Sequence, residues 1–237
     1  MTDRLGTAQV ALVGLFVTAL ITAQLTASKV LAIGIPVSLP SAGDTLFLPG
    51  AALAYALTFF ATDAYSELYG RRPAQVVVNV GFFLNFVMLA LVWSTIALPV
   101  APTSPVDAAA FASVLGPSTS IVVGSLAAYL VSQNLDVVVF HALRERTAGA
   151  HLWLRNIAST ATSQFVDTVI FVAMAFYAVP AAIGTSQPLP PSVLVGLIVG
   201  QYVLKLAIAL LDTPFVYLIV GLARGTDRSD VERSLSD

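Results

Sequence analysis

Ser132-Gln-Asn-Leu-Asp-Val-Val-Val-Phe140 lies inside an apolar stretch running from about Pro117 to Leu143. The same frame, Ser-Gln-x-x-Asp-x-Val-x-Phe, returns as Ser163-Gln-Phe-Val-Asp-Thr-Val-Ile-Phe171 in the next apolar stretch. About 20 mainly apolar residues suffice to cross a bilayer as a helix. An aspartate at mid-bilayer costs roughly 3 kcal/mol on insertion scales, so it faces protein or a watery cavity rather than lipid. Both segments therefore read as membrane helices whose polar residues have a partner or a task.

The rest of the chain agrees. Its 237 residues are 57% hydrophobic and 10% charged, against about 25% charged in soluble domains. Six stretches are long and apolar enough to span: roughly 8–35, 48–69, 75–98, 117–143, 156–179 and 192–222. The breaks between them hold turn formers or charge: Pro36–Pro49 with Gly43-Asp44, Gly70–Pro73, Pro99–Gly116, Arg144–Arg155 and Pro180–Pro191. The expected fold is an all-α integral membrane protein, one six-helix domain over 1–225. The first stretch is too long for a signal h-region and carries Gln24 and Lys29, so it reads as a mature span. Within loop 3, Asp107–Leu115 reads as an outer interfacial helix; in loop 4, Ala150–Trp153 reads as an inner interfacial contact. The segment 226–237, rich in charge and serine, reads as a disordered tail.

Loop charges orient this domain. Arg4, Arg71, Arg72, Arg144, Arg146, Arg155, Arg224, Arg228 and Arg233 all fall at the N-terminus, in loops 2 and 4, or in the C-terminal tail. Loops 1, 3 and 5 contain no lysine or arginine. This positive-inside split places both termini in the cytoplasm of a multi-pass protein of the cell (inner) membrane.

Composition also narrows function. There is no cysteine and there are only two histidines, so neither a thiolate nor a His-rich metal site is expected. The net charge of −2 gives no reason to expect nucleic acid. No cofactor is expected.

Polar residues inside the spans carry the functional signal. Lys29 and Lys205 are the only lysines, and Asp63, Glu67, Asp136, Asp167 and Asp212 join them. In span 4, Ser132, Gln133 and Asp136 share a helix face; in span 5, Ser163, Gln164 and Asp167 repeat it, because residues three and four apart are neighbours. Asp63 and Glu67 share a face of span 2, and Gln201, Lys205 and Asp212 form a stripe on span 6. The plainer reading is interhelical glue. It serves Asn79, Asn85, Asn134 and Gln201 equally well. Glu67 can pair structurally with Arg71, and Asp212 can serve the backbone disturbed at Pro214. Asp136, Asp167 and Lys205 fit that reading less well. Gly196 and Gly200 form a Gly-x-x-x-Gly pair that favours close helix packing over a dimer seam.

Such a polar interior suits a transporter of a planar, polar, mostly uncharged heterocycle. A guanine-like ring offers adjacent N–H donors to one carboxylate, and acceptors to an amide or a lysine. Amino acids and vitamins fit too. A second class is an intramembrane enzyme using Asp136 and Asp167 as a dyad. No Gly-x-Gly-Asp element, His-Glu-x-x-His or Gly-x-Ser-x-Gly turn accompanies them, so the chain is not expected to be an enzyme. A third is a substrate-binding membrane subunit. The absence of a P-loop then requires a separate partner for ATP-driven work.

Five motifs in order resemble the queuosine precursor transporter family, the YhhQ-type proteins. They are Gln24-Leu-Thr-Ala-Ser-Lys29, Thr62-Asp-Ala-Tyr-Ser-Glu-Leu-Tyr-Gly70, Tyr129-Leu-Val-Ser-Gln-Asn-Leu-Asp-Val-Val-Val-Phe140, Ala158-Ser-Thr160 leading to Asp167-Thr168, and Tyr202-x-x-Lys205 followed by Pro214. The resemblance runs from about Gln24 to Tyr217. It implies import of the 7-deazaguanines preQ0 and preQ1, precursors of queuosine or archaeosine in tRNA modification. No ATP-driven partner is required, and there is room for a homodimer. It points to Lys29, Asp63, Glu67, Gln133, Asp136, Asp167 and Lys205. Gln24, Ser66 and Gln164 depart from the family's usual asparagines, which leaves the preferred precursor open. On this reading Asp136 and Asp167 receive the ring's N–H donors, and Gln133, Gln164 and Lys205 address its acceptors. Gln24 and Lys29 complete the substrate-binding set. Asp63 with Glu67 serves gating or proton coupling. The repeated frame is expected to mark two polar patches that face one cavity from antiparallel helices.

Overall fold

The structure is a computed structural model that describes residues 6–39, 43–147, 152–184, 186–209 and 211. The expectations for Ala150, Asp212, Pro214, Arg224 and the tail 226–237 lie outside these residues. The first helix, α1, is Thr7–Thr26; a hairpin of β1 (Val30–Leu39) and β2 (Gly43–Pro49) follows. Next come α2 (Ala52–Tyr69), α3 (Arg71–Ala97), the short α4 (Ala108–Leu115), α5 (Ser118–Arg146) and α6 (Leu152–Ala173). A π-helical turn, Met174–Ala178, joins α6 to α7 (Val179–Ile183), and α8 is Pro191–Ala209. The chain is thus chiefly α-helical.

Among the described residues, five helical segments are long and apolar enough to cross a membrane: Thr7–Thr26, Arg71–Ala97, Ala108–Arg146, Ile157–Ile183 and Pro191–Ala209. The second predicted span, α2, forms a helix but is not among the five, because Asp63 and Glu67 occupy its second half. The stretch of loop 3 read as a helix from the sequence is helical, as α4. It is capped by Asp107, whose Oδ1 accepts from the Ala110 N–H at 2.8 Å.

The main departure from expectation is the hairpin. Hydropathy extends the first span to Ile35, but α1 stops at Thr26 and residues 30–35 are strand. Val30, Ile33 and Ile35 are β-branched, while Gly34 weakens a helix and Pro36 removes a donor and clashes with the preceding turn. An apolar run that cannot continue as a helix satisfies its backbone by pairing instead. Val30 pairs with Pro49 and Leu31 with Leu48, antiparallel. The Gly50 N–H closes the base of the hairpin on the Lys29 carbonyl at 2.6 Å.

The chain divides into two compact units. One comprises Met1–Ala23, Ala51–Met88 and Leu204–Asp237. There α1, α2 and α3 pack through Leu12, Ala64, Tyr65 and Ala74, and Gln9 Nε2 donates to Tyr65 Oη at 2.9 Å. Asn85 of α3 is fully buried in this unit, and neither its Oδ1 nor its Nδ2 has a hydrogen-bond partner.

The other unit comprises Gln24–Gly50 and Leu89–Val203. Its hairpin packs on α8 through the Gly-x-x-x-Gly pair. A Cβ at Gly196 would sit 2.6 Å from the Phe47 ring, and one at Gly200 would run into the Phe47 carbonyl. The motif therefore serves internal packing, as expected, but its partner is a strand rather than a helix. Trp93 Nε1 donates to Thr119 Oγ1 at 2.8 Å, tying α3 to α5.

Candidate functional site

The two copies of the Ser-Gln-x-x-Asp frame meet. Ser132 Oγ on α5 donates to Asp167 Oδ1 on α6 at 3.1 Å. Ser163 Oγ on α6 donates to Asp136 Oδ1 on α5 at 3.2 Å. Each serine thus serves the aspartate of the other copy. On antiparallel helices this is what two identical i, i+4 spacings produce when they lie opposite each other. Each hydroxyl also lies within reach of a carbonyl one turn back on its own helix: Tyr129 O at 3.3 Å for Ser132 and Thr160 O at 3.1 Å for Ser163. These shared bonds hold both serines in place.

Close packing fixes the register. Gly124 lies two turns before Ser132, and Ala175 two turns beyond Asp167. A Cβ at position 124 would stand 2.8 Å from the Ala175 Cβ and 2.9 Å from its backbone nitrogen. The two helices therefore touch backbone to backbone there, at the π-helical turn. Such a turn inserts one residue into the helix and re-aims the side chains beyond it. Here the Leu189 N–H donates to the Phe176 carbonyl at 2.9 Å, within that turn.

Both serines are buried, and both aspartates are half-buried. An ionised carboxylate has about four acceptor positions, more than one hydroxyl uses. Gln164 is half-buried beside this seam, whereas Gln133 is exposed. The arrangement presents two acceptor carboxylates braced by two hydroxyls. It has the chemistry to hold N–H donors of a ligand.

Gln24 is buried, and its Nε2 donates to Ser125 Oγ at 3.5 Å; Ser125 lies two turns before Ser132 on α5. Lys29 is exposed in the turn from α1 to β1 rather than within a helix, because α1 ends three residues earlier. Asp63, Glu67 and Lys205 belong to the first unit. Asp63 and Glu67 are exposed on α2, and Lys205 Nζ stands 5.8 Å from the centroid of the Tyr55 ring, a cation–π distance.

Sequence reasoning missed two groups. One is Gly124 with Ala175, for which the small side chains on paired helices were the available signal. The other is the contact of Tyr202 on α8 with α6, where sequence reasoning names Lys205 of the same stretch instead. Tyr202 Oη donates to the Ala161 carbonyl at 3.3 Å, and its ring stands edge-on to Phe165 at 5.6 Å. Next to it, Gln201 is buried with its Nε2 unpartnered. A buried amide N–H left without a partner costs about 1–3 kcal/mol.

Comparison with known proteins shows the family. Residues 49–219 match the family model described as "Putative vitamin uptake transporter". The chain belongs to that family. A family of transporters is not one of enzymes, so the dyad reading of Asp136 and Asp167 falls away. A Bacillus subtilis (strain 168) protein named "Probable queuosine precursor transporter" is 33% identical over 176 residues, covering 74% of this chain and 72% of that one. A Haemophilus influenzae protein of the same name is 27% identical over 129 residues, covering 53% and 50%. No solved structure matches the chain.

Proposed function

We propose that this protein imports 7-deazaguanine precursors of queuosine or archaeosine, preQ0 and preQ1, across the cell membrane. The observation that carries the site is the reciprocal Ser132–Asp167 and Ser163–Asp136 bonding. It holds two carboxylates in fixed positions on adjacent helices. A 7-deazaguanine ring presents adjacent N–H donors, which a carboxylate can accept in pairs. Two relatives named for queuosine precursors supply the substrate class.

In this account Asp136 and Asp167 receive the ring's N–H groups. Gln164, Gln133 and Lys205 address its acceptors, Gln24 and Lys29 contribute along the path, and Asp63 with Glu67 gates the path or couples it to protons. α2 completes a set of six spans, with both termini cytoplasmic as the arginine distribution requires.

A thermal-shift screen of nucleobases and vitamins on purified protein tests the substrate class, since a ligand selective for the folded state raises its apparent stability. Stabilisation by preQ0 or preQ1 but not by unrelated vitamins is expected. The family description favours one second reading, another vitamin-like heterocycle. Selective stabilisation by such a compound would replace the deazaguanine reading.

A further inference from the structure

Gln201 has three properties that together need explanation. Its side chain is 8% exposed. Its Nε2 has no hydrogen-bond partner. Its position is not loose, because the flanking residues are pinned. Gly200 abuts the Phe47 backbone, Leu197 one turn earlier is fully buried, and Tyr202 is bonded to Ala161 O. Ala161 lies two residues before Ser163, which bonds Asp136. Tyr202, the next residue, thus anchors this turn of α8 to α6 two residues before the serine that braces Asp136.

A packing role does not account for it. A glutamine retained to join helices uses its donor, whereas a leucine or methionine would fill the same volume without stranding one. Within a membrane, water does not generally relieve the cost. The aspartates supply acceptors only. A neutral heterocycle with a ring carbonyl needs a donor as well.

We propose that Gln201 is a substrate-binding residue, its Nε2 donating to the ring carbonyl of the transported heterocycle. This rests on the deazaguanine reading above. It assigns the carbonyl contact to α8, opposite in polarity to the carboxylates of α5 and α6. A site built to hydrogen-bond a substrate group discriminates strongly against an analogue lacking it.

The test uses purified protein and two ligands, 7-deazaguanine and 2-amino-7-deazapurine, which lacks the ring carbonyl together with the adjacent ring N–H. Affinities are measured by calorimetry for wild type, Gln201→Met and Gln201→Glu, with melting temperatures alongside. Wild type should prefer the oxo ligand. Both variants should reduce that preference by about 10- to 100-fold, through weaker binding of the oxo compound alone, while the part owed to the ring N–H on the aspartates remains. Gln201→Met should melt no lower than wild type, having no partner to lose. Unchanged preference in both variants overturns the role of Gln201 and leaves the deazaguanine reading standing. A marked drop in the melting temperature of Gln201→Met also overturns it, since that reveals a structural partner. Wild-type protein that binds neither ligand overturns both the deazaguanine reading and this inference.

Discussion

Ser132 on α5 and Asp167 on α6 stand 3.1 Å apart, hydroxyl to carboxylate, and Ser163 and Asp136 repeat the contact at 3.2 Å in the opposite sense. The seam thus carries a local two-fold relationship within one chain. Interhelical side-chain bonds in membranes average about 0.6 kcal/mol in double-mutant cycles. A Ser132→Ala, Asp167→Asn cycle should give a coupling of about 0.5–1.5 kcal/mol in unfolding free energy. The mirrored Ser163, Asp136 cycle should give a similar value. Coupling near zero in both would mean that the two copies do not brace each other.

Gly124 presses on Ala175 without room for a methyl group. Helix propensity alone makes Gly124→Ala stabilising by about 1 kcal/mol. Overpacking costs about 1–3 kcal/mol and should reverse the sign. Gly124→Ala is therefore expected to lower the melting temperature, and Ala175→Gly to restore part of the loss. A more stable Gly124→Ala protein would refute the close approach of α5 to the π-helical turn.

The two glycines of α8 should not be equivalent. At Gly196 an added Cβ meets the Phe47 ring, which can rotate; at Gly200 it meets the Phe47 backbone carbonyl, which cannot. Gly200→Ala should cost more than Gly196→Ala, within the range of about 1–3 kcal/mol for overpacking. Phe47→Ala should relieve the strain of Gly196→Ala but not that of Gly200→Ala. Thermal unfolding of the three variants and their combinations decides it.

Asn85 is buried with both amide atoms unpartnered. Leucine has the same branching and strands no polar atom, and removing an unsatisfied group recovers about 1–3 kcal/mol. Asn85→Leu should raise the melting temperature. A clear fall would show that Asn85 has a polar partner in the membrane-embedded protein.

The seam was half legible in the sequence. Helical spacing put Ser132 with Asp136 and Ser163 with Asp167, since those pairs lie within one helix. The crossed pairing was not readable, because it depends on the register of α5 against α6, which Gly124 and Ala175 set. The hairpin was hidden for another reason. Val30–Ile35 is as apolar as the helix before it, so hydropathy extended the span where Gly34 and Pro36 end it. The unused donor of Gln201 could not be read at all, since only packing shows which amide atoms find partners.

The central claim is that the braced aspartates carry a 7-deazaguanine across the membrane. Uptake of preQ0 and preQ1 into liposomes containing the purified protein alone tests it most directly. Wild-type protein should transport at least one of them, and Asp136→Ala and Asp167→Ala should each abolish uptake while remaining folded. Wild-type liposomes that take up neither precursor, or aspartate variants that transport as wild type does, would contradict the account.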